Sequence, residues 1–163
     1  MPSVLTLLLS AAAVVATLPP PPWLWPVDGP HVVARPYSAP PSPYGRGHRG
    51  ADLTAHEGAA VRAPAGGVVH FAGFVVDRPV LSIRHDDGVL SSFEPVESDL
   101  ERGDLVDAGD VIGTLLPGHC DVPCLHVGAR VLGQYVSPLR YLGGIPRSVL
   151  LPTRRSEHGR PGP

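Results

Sequence analysis

The stretch that decides the fold is residues 79–93, with the sequence Pro-Val-Leu-Ser-Ile-Arg-His-Asp-Asp-Gly-Val-Leu-Ser-Ser-Phe. Leu81 and Ile83 alternate with polar side chains, which is the period-two pattern of a strand with one buried face. The Asp-Asp-Gly sequence at 86–88 supplies residues that tolerate the positive φ angles of a tight hairpin turn. We therefore predict two antiparallel strands joined by a short turn.

Short apolar segments bounded by glycine or proline continue on both sides of this hairpin. They lie at 60–63, 67–73, 103–115 and 125–131. No segment between Ala59 and Val131 has sustained helical periodicity, and a short closing helical turn is expected only at 138–142. The predicted fold is mostly β: a single compact antiparallel β-sheet domain with glycine-punctuated short strands and a groove floored by the sheet.

The 163 residues divide into a foldable centre and two ends of different composition. Residues 1–18 contain an uncharged apolar run that predicts a signal peptide, although a buried or re-entrant helix fits the same run. Residues 19–44 form a Pro-rich linker with an edge strand expected at 23–35, where the two tryptophans could instead belong to an exposed tether. Residues 45–143 are the predicted β domain, and residues 144–163 are predicted to be a disordered tail.

Charge and composition exclude several classes of protein. The formal net charge is −2, and nucleic-acid binding needs a clustered basic surface, so we expect no nucleic-acid partner. The sequence contains no lysine, because all 13 basic residues are arginines. This excludes Schiff-base enzymes, phosphate-loop lysines and biotinyl or lipoyl carriers, each of which depends on a lysine side chain.

A glycine-rich segment, Gly-His-Arg-Gly-Ala-Asp-Leu at 47–53, carries an imidazole and a carboxylate four residues apart. A second imidazole, that of His126, lies in the last predicted strand. Two imidazoles and one carboxylate are a common ligand set for catalytic zinc, which keeps a fourth position open. By spacing alone, the same residues also fit a hydrogen-bonded polar cluster without a metal.

From residue 25 to residue 142 the chain resembles the lysostaphin-type zinc endopeptidases, which cut peptidoglycan cross-links. The segment 45–53 closely matches the family's Gly-x-His-x-Gly-x-Asp motif. Residues 55–69 follow the family's next pattern, which is a small residue, then Gly, Val and Ala at set spacings. Residues 103–113 match its later Gly-x-x-Val-x-x-Gly-x-x-Ile-Gly run. The resemblance implies that Zn²⁺ is the cofactor and that its ligands are His48, Asp52 and His126.

Two histidines of the family are replaced in this chain. Pro95 stands where the family has a histidine in a Tyr-Gly-His-Leu-like stretch, and Cys124 replaces the first histidine of its His-x-His pair. In the family these two positions orient or deprotonate the attacking water and stabilise the charged intermediate. His119, close in sequence to the His126 strand, is a candidate substitute base, and Glu94, beside the lost position, is a second candidate. Surface or structural roles are the alternatives for both.

The two cysteines, Cys120 and Cys124, are separated by three residues that include a proline. In an oxidising compartment they can close a small disulfide loop, and the expected secretion favours this pairing. Alternatively, Cys124 would be a fourth zinc ligand in a closed structural site.

Two functions remain open at this level. The first is a secreted or envelope-bound zinc endopeptidase on the bacterial exterior, with weak activity on peptidoglycan cross-bridge peptides. The second is a catalytically degenerate domain that binds zinc or peptidoglycan and regulates other cell-wall hydrolases as its partners. The intact ligand set favours the enzyme, and the missing histidines favour the regulator. We expect a monomer, and for the endopeptidase we expect an extended peptide to bind between the loops 36–44 and 94–102.

Overall fold

The structure is a computed structural model that describes residues 22–42 and 44–143. The predicted signal peptide, the first residues of the linker and the predicted tail lie outside the described residues. Within them the elements are β1 (Val33–Arg35), β2 (Gly50–Thr54), β3 (Ala60–Arg62), β4 (Gly67–Val75), β5 (Arg78–His85), β6 (Leu90–Glu94), β7 (Val96–Glu97), β8 (Leu105–Val106), β9 (Val111–Leu115), β10 (Cys124–Val131), β11 (Gln134–Val136) and a 3-10 turn (Pro138–Arg140). In this part of the chain no helix is long and apolar enough to cross a membrane.

The strands form two antiparallel sheets, which confirms the predicted fold class. The large sheet has the order β1-β2-β10-β6-β5-β4-β8, and β11 pairs with the far end of β10. The small sheet has the order β3-β9-β7. The predicted hairpin is β5-β6, in the middle of the large sheet, with Leu81 paired with Phe93 and Ile83 paired with Ser91.

One hydrophobic core joins the two sheets. The side chains at odd positions of β2, β5, β6 and β10 point into it, because alternate residues of a strand face opposite sides. Its fully buried members from the large sheet are Leu53, Leu81, Ile83, Phe93, Leu125 and Val127, and those from the small sheet are Val61, Val96, Ile112 and Leu115. The even positions of the same strands are left for the opposite face of the large sheet.

The strand β2 was not predicted from the sequence, because glycine is unfavourable in strands. Gly50 nevertheless belongs in β2, since a Cβ at this position would overlap the backbone oxygen of Val127 and the ring of His126. Close approach of two strand backbones therefore explains the glycine. The short strands β7 and β11 were also missed.

The segment 23–27 has no strand conformation, and the strand found within the range 23–35 is β1. Trp23 is buried, its ring stacks on Tyr141 with centroids 4.7 Å apart, and its backbone N–H donates to the Tyr141 carbonyl over 2.9 Å. This contact ties the start of the described chain to its end. The edge strand within the range 23–35 is thus β1, the first strand of the large sheet, and Trp23 packs on the domain rather than forming an exposed tether.

Candidate metal centre

Strand register aligns three of the sequence-predicted site residues in one row. In the pairing of β10 with β2, His126 lies opposite Asp52, and in the pairing of β10 with β6 it lies opposite Glu94. All three occupy even positions, on the face of the large sheet that points away from the core. Side chains directly opposite each other on neighbouring strands have Cβ atoms about 5 Å apart, so the row can act as one site.

The three predicted metal ligands meet at one carboxylate oxygen. The distance to Asp52 Oδ1 is 3.0 Å from His48 Nε2 and 2.7 Å from His126 Nδ1. The two histidine nitrogens are 3.1 Å apart. His48 reaches this point from an isolated bridge with Ser38, immediately before β2, and it is buried together with Asp52.

The outer partner of His48 fixes the orientation of its ring. Its Nδ1 lies 2.8 Å from the backbone carbonyl of Pro36. A carbonyl oxygen only accepts, so Nδ1–H donates, and in the neutral ring the lone pair of Nε2 faces the cluster. Metal-binding histidines commonly have such a partner, which sets the tautomer and the ring direction.

The loop between β9 and β10 contributes a further imidazole. His119 Nε2 lies 3.2 Å from Asp52 Oδ1, and the side chain is only 15% exposed. The next residue, Cys120, forms a disulfide with Cys124 at the start of β10, with Cα atoms 5.9 Å apart. The predicted disulfide is thus present, and Cys124 has no thiolate to offer a metal. His119 as a substitute base stays a prediction, because proximity does not define its role.

Glu94 and one residue that the sequence did not suggest complete the surroundings of His119. Glu94 Oε1 lies 3.9 Å from His119 Nδ1. Arg78, at the start of β5, donates from its guanidinium to the same Nδ1 over 2.9 Å. Arg78 is 41 residues from His119 in sequence and belongs to no motif, so only the folded sheet reveals the contact.

Burial and hydrogen bonding shift the protonation of this cluster in opposing ways. Burial works to raise the pKa of Asp52, but the hydrogen bond from His126 and the charges of His126, His48 and His119 outweigh it, so the pKa is lowered. Burial also lowers the pKa of His126, against the hydrogen bond and charge of Asp52. Both directions favour the forms that bind metals, a carboxylate and a neutral imidazole.

The donor set fits a zinc ion. Two ligands at about 2.1 Å from zinc are roughly 3.4 Å apart at the tetrahedral angle. The three ligand atoms here are separated by 2.7, 3.0 and 3.1 Å, so an ion between them requires outward shifts of a few tenths of an ångström. The inward lone pair of His48 facing a carboxylate oxygen is also an arrangement that a cation would stabilise.

A groove of about 400 Å³ has Arg49, the residue after His48, in its lining, but none of the cluster residues themselves. Its lining residues are Tyr37, Ala39, Pro40, Ser42, Arg49, Gly133, Gln134 and Tyr135. The predicted wall at 36–44 is therefore part of it. The opposite wall is the turn between β10 and β11, whereas residues of the 94–102 loop line other hollows of the surface.

Comparisons with known proteins give a consistent result. A family model described as "Peptidase family M23" matches residues 46–138. Over 129 residues the chain is 39% identical to an uncharacterized protein of Mycobacterium tuberculosis, covering 75% of this chain and 52% of that protein. It is 32% identical over 123 residues to the murein hydrolase activator NlpD of Escherichia coli, covering 74% of this chain and 31% of NlpD. The chain thus spans about half the length of the first relative and a third of the second.

The fold is shared with the catalytic domain of the antimicrobial peptidase lysostaphin from Staphylococcus simulans. That structure superposes with a TM-score of 0.59 at 22% identity, covering 69% of this chain and 92% of the lysostaphin domain.

Proposed function

Because this chain belongs to peptidase family M23, the lysostaphin type, we propose that it is a zinc endopeptidase that hydrolyses cross-bridge peptides of peptidoglycan on the exterior of a bacterial cell. The observation that carries the proposal is the convergence of His48, His126 and His119 on one oxygen of Asp52. The first two histidines and Asp52 supply the metal ligands. His119 comes from outside the motif, on the loop before β10, next to the Cys120–Cys124 disulfide.

When bound, zinc polarises a peptide carbonyl and brings the pKa of a water molecule near 7. His48, Asp52 and His126 would hold it, with the Pro36 carbonyl keeping the His48 ring in place. His119 would take over the charge stabilisation that a replaced histidine provides in the family, and the Glu94 carboxylate lies 3.9 Å from its Nδ1. The groove beside Arg49 would bind the extended peptide.

The test is digestion of purified peptidoglycan by the zinc-loaded protein, followed by mass analysis of released fragments. We expect new amine termini from the wild-type chain and none from Asp52→Ala. Loss of a positioned acid, base or charge-stabilising group costs about 10² or more in rate, so His119→Ala should be slower by that factor. The matched control is His56→Ala, an exposed histidine away from the cluster, which should cut at the wild-type rate. Zinc-loaded wild-type protein that releases no fragments would reject the enzyme.

A second candidate function is supported by the residues that replace the family histidines. Pro95 and Cys124 cannot act as bases, the latter because its sulfur is in a disulfide. Together with the similarity to the murein hydrolase activator NlpD, this favours a domain that binds peptidoglycan and stimulates another wall hydrolase. The distinguishing result is faster digestion by an added murein hydrolase in the presence of this protein, with no cleavage by the protein alone and no effect of Asp52→Ala.

Secretion, a cell-envelope location and a monomeric state belong to the same proposal. The disulfide between Cys120 and Cys124 supports an oxidising compartment.

A further inference from the structure

The histidine that the disulfide loop brings to the cluster has an unusual outer partner. His119 Nδ1 lies 2.9 Å from an Nη atom of Arg78, while its Nε2 lies 3.2 Å from Asp52 Oδ1. A guanidinium group has five N–H donors, no acceptor, and stays protonated in proteins. Consequently His119 Nδ1 must be the acceptor in this contact.

This contact determines which form of the imidazole is present. A ring whose Nδ1 accepts a hydrogen bond carries no proton there, so it is neutral and its single N–H is at Nε2. The nitrogen that carries this proton, His119 Nε2, lies 3.2 Å from Asp52 Oδ1 at the centre of the cluster. His48 has the opposite arrangement, because its Nδ1–H donates to the Pro36 carbonyl and its Nε2 lone pair points inward.

Arg78 is itself held in position. Its Nε and one Nη donate to the two carboxylate oxygens of Asp77 over 3.0 and 3.3 Å. Hydrogen bonding and the charge of Asp77, with the charge of Glu94, raise the pKa of Arg78 further despite some burial. The Glu94 carboxylate lies 3.9 Å from His119 Nδ1, which is beyond hydrogen-bond distance.

We propose that Arg78 is a positioning residue that fixes His119 as the Nε2–H tautomer, so that His119 keeps a proton on the nitrogen nearest the centre of the site and serves neither as a metal ligand nor as a base. The role of His119 in catalysis rests on the proposed function, whereas its tautomer does not. This inference replaces the role of substitute base predicted from the sequence with that of a donor, which stabilises negative charge on the oxygen of a substrate carbonyl.

The arrangement also explains how a cluster of four ligand-type side chains keeps an open position. The side chains of His48, Asp52, His119 and His126 all offer a ligand atom within 4.8 Å of one another, which would permit a closed four-ligand site. A closed site is the structural kind of zinc site, whereas three protein ligands leave room for water or substrate. Because the Arg78 guanidinium occupies the Nδ1 lone pair, the Nε2 of His119 keeps its proton and cannot join the ligands.

The experiment is a long-range ¹H–¹⁵N NMR correlation of the histidine rings, recorded at neutral pH on the full chain with and without zinc. In the wild type we expect the His119 Nε2 shift of a protonated nitrogen and the Nδ1 shift of an unprotonated one, unchanged by zinc. His48 should show the reverse pattern, and its Nε2 shift should move on zinc binding. A His119 ring with Nδ1–H, or a His119 Nε2 that loses its proton to zinc, would overturn the proposal.

Three variants complete the test. Arg78→Met removes the donor, so the His119 tautomer should become mixed or reversed, and Arg78→Lys should restore it because an ammonium group also only donates. Arg102→Met, an exposed arginine remote from the cluster, is the control and should leave the His119 shifts unchanged. Wild-type tautomer populations in Arg78→Met would contradict the role of Arg78.

Kinetics separate this inference from the proposed function. If the protein cuts peptidoglycan, Arg78→Met should lower kcat by up to the 10²-fold or so typical of a lost oxyanion donor, with KM unchanged. If the protein does not cut, the NMR result still decides the tautomer. If Arg78→Met changes the His119 tautomer but kcat stays normal, the His119 N–H has no catalytic role. That result would leave the proposed peptidase activity intact.

Discussion

The two halves of the candidate metal centre are held by different means. Asp52 and His126 are opposite each other on paired strands, so the ladder that folds the sheet also sets their spacing. His119 lies on a loop outside the sheet, where a disulfide beside it and the guanidinium of Arg78 determine its position. The strand-held half therefore depends on backbone register, whereas the loop-held half depends on two side-chain connections that can be removed singly.

The comparison also concerns proton placement. The strand-side histidine, His48, has a carbonyl as its outer partner, and the loop-side histidine, His119, has a guanidinium. An acceptor and a donor at the same ring nitrogen produce opposite tautomers at the centre of the site. Residues of one chemical type thus acquire different roles from their second contacts alone.

The largest effect on zinc affinity should come from removing the Asp52 carboxylate, whose Oδ1 both His48 and His126 contact. Changing a residue that only hydrogen-bonds to a metal ligand typically costs about 10- to 100-fold in metal affinity. Asp52 is itself a proposed ligand, so Asp52→Ala should weaken zinc binding by more than about 100-fold. Calorimetric titration with zinc measures this, with the exposed Asp99→Ala as the control. Equal affinities in the two variants would mean that Asp52 is not a ligand.

Two glycines of the strand-held half should respond differently to a methyl group. In Gly50→Ala the new Cβ would overlap the Val127 backbone oxygen, which cannot move without shifting β10. We expect a loss of about 1–3 kcal/mol in the free energy of unfolding, as for other overpacked sites.

The matched variant is Gly128→Ala, where the close atom is the hydroxyl of Ser92, and a side chain can rotate away. Its cost in denaturant unfolding should be well below that of Gly50→Ala. The reverse order would contradict the view that backbone spacing, rather than side-chain packing, fixes this half of the site.

Removal of the disulfide should affect the loop-held half alone. For a bridge that closes so few residues, chain entropy predicts a loss of about 2 kcal/mol in Cys120→Ala/Cys124→Ala. Zinc affinity should stay close to that of the wild type, because the strand-held ligands do not depend on the loop, while peptidoglycan cleavage should slow. A large drop in zinc affinity would place the loop among the metal-binding elements.

The smallest effect is on the pH dependence of stability and concerns His85, which has a carbonyl partner like that of His48 but lies outside the candidate metal centre. His85 is buried in the sheet, its Nδ1–H donates to the Gly66 carbonyl over 2.8 Å, and its Nε2 accepts from the Ser91 hydroxyl over 2.8 Å. Burial lowers its pKa. The unfolded state, with a pKa of about 6.5, then binds more protons than the folded state, so stability falls as pH drops through and below that value.

In His85→Gln this part of the pH dependence should disappear, at some cost in stability at neutral pH. Urea unfolding at several pH values between neutral and acidic conditions measures the slope. The exposed His56→Gln should keep the wild-type slope. If His85→Gln also keeps it, the acid sensitivity arises elsewhere in the chain.

Much of the fold could be predicted because it is written in local patterns. The alternation around Leu81 and Ile83 and the turn at 86–88 identified the central hairpin, and glycine and proline marked the ends of the other strands. The strand β2 was missed for the reason that makes it important. Its glycine is required by contact with β10, which is a tertiary cause that strand propensity does not contain.

The sequence by itself determined the β architecture and the candidate ligand set of His48, Asp52 and His126, because strand periodicity and ligand type are properties of the residues and their spacing. The tertiary structure alone decided the row that Asp52, His126 and Glu94 form, the arrival of His119, and its contact with Arg78. Arg78 and His119 are far apart in the chain and belong to separate elements. Their hydrogen bond exists because the β4-β5 hairpin and the disulfide loop approach the same face of the sheet, and distances of that kind are set by packing rather than by any local pattern.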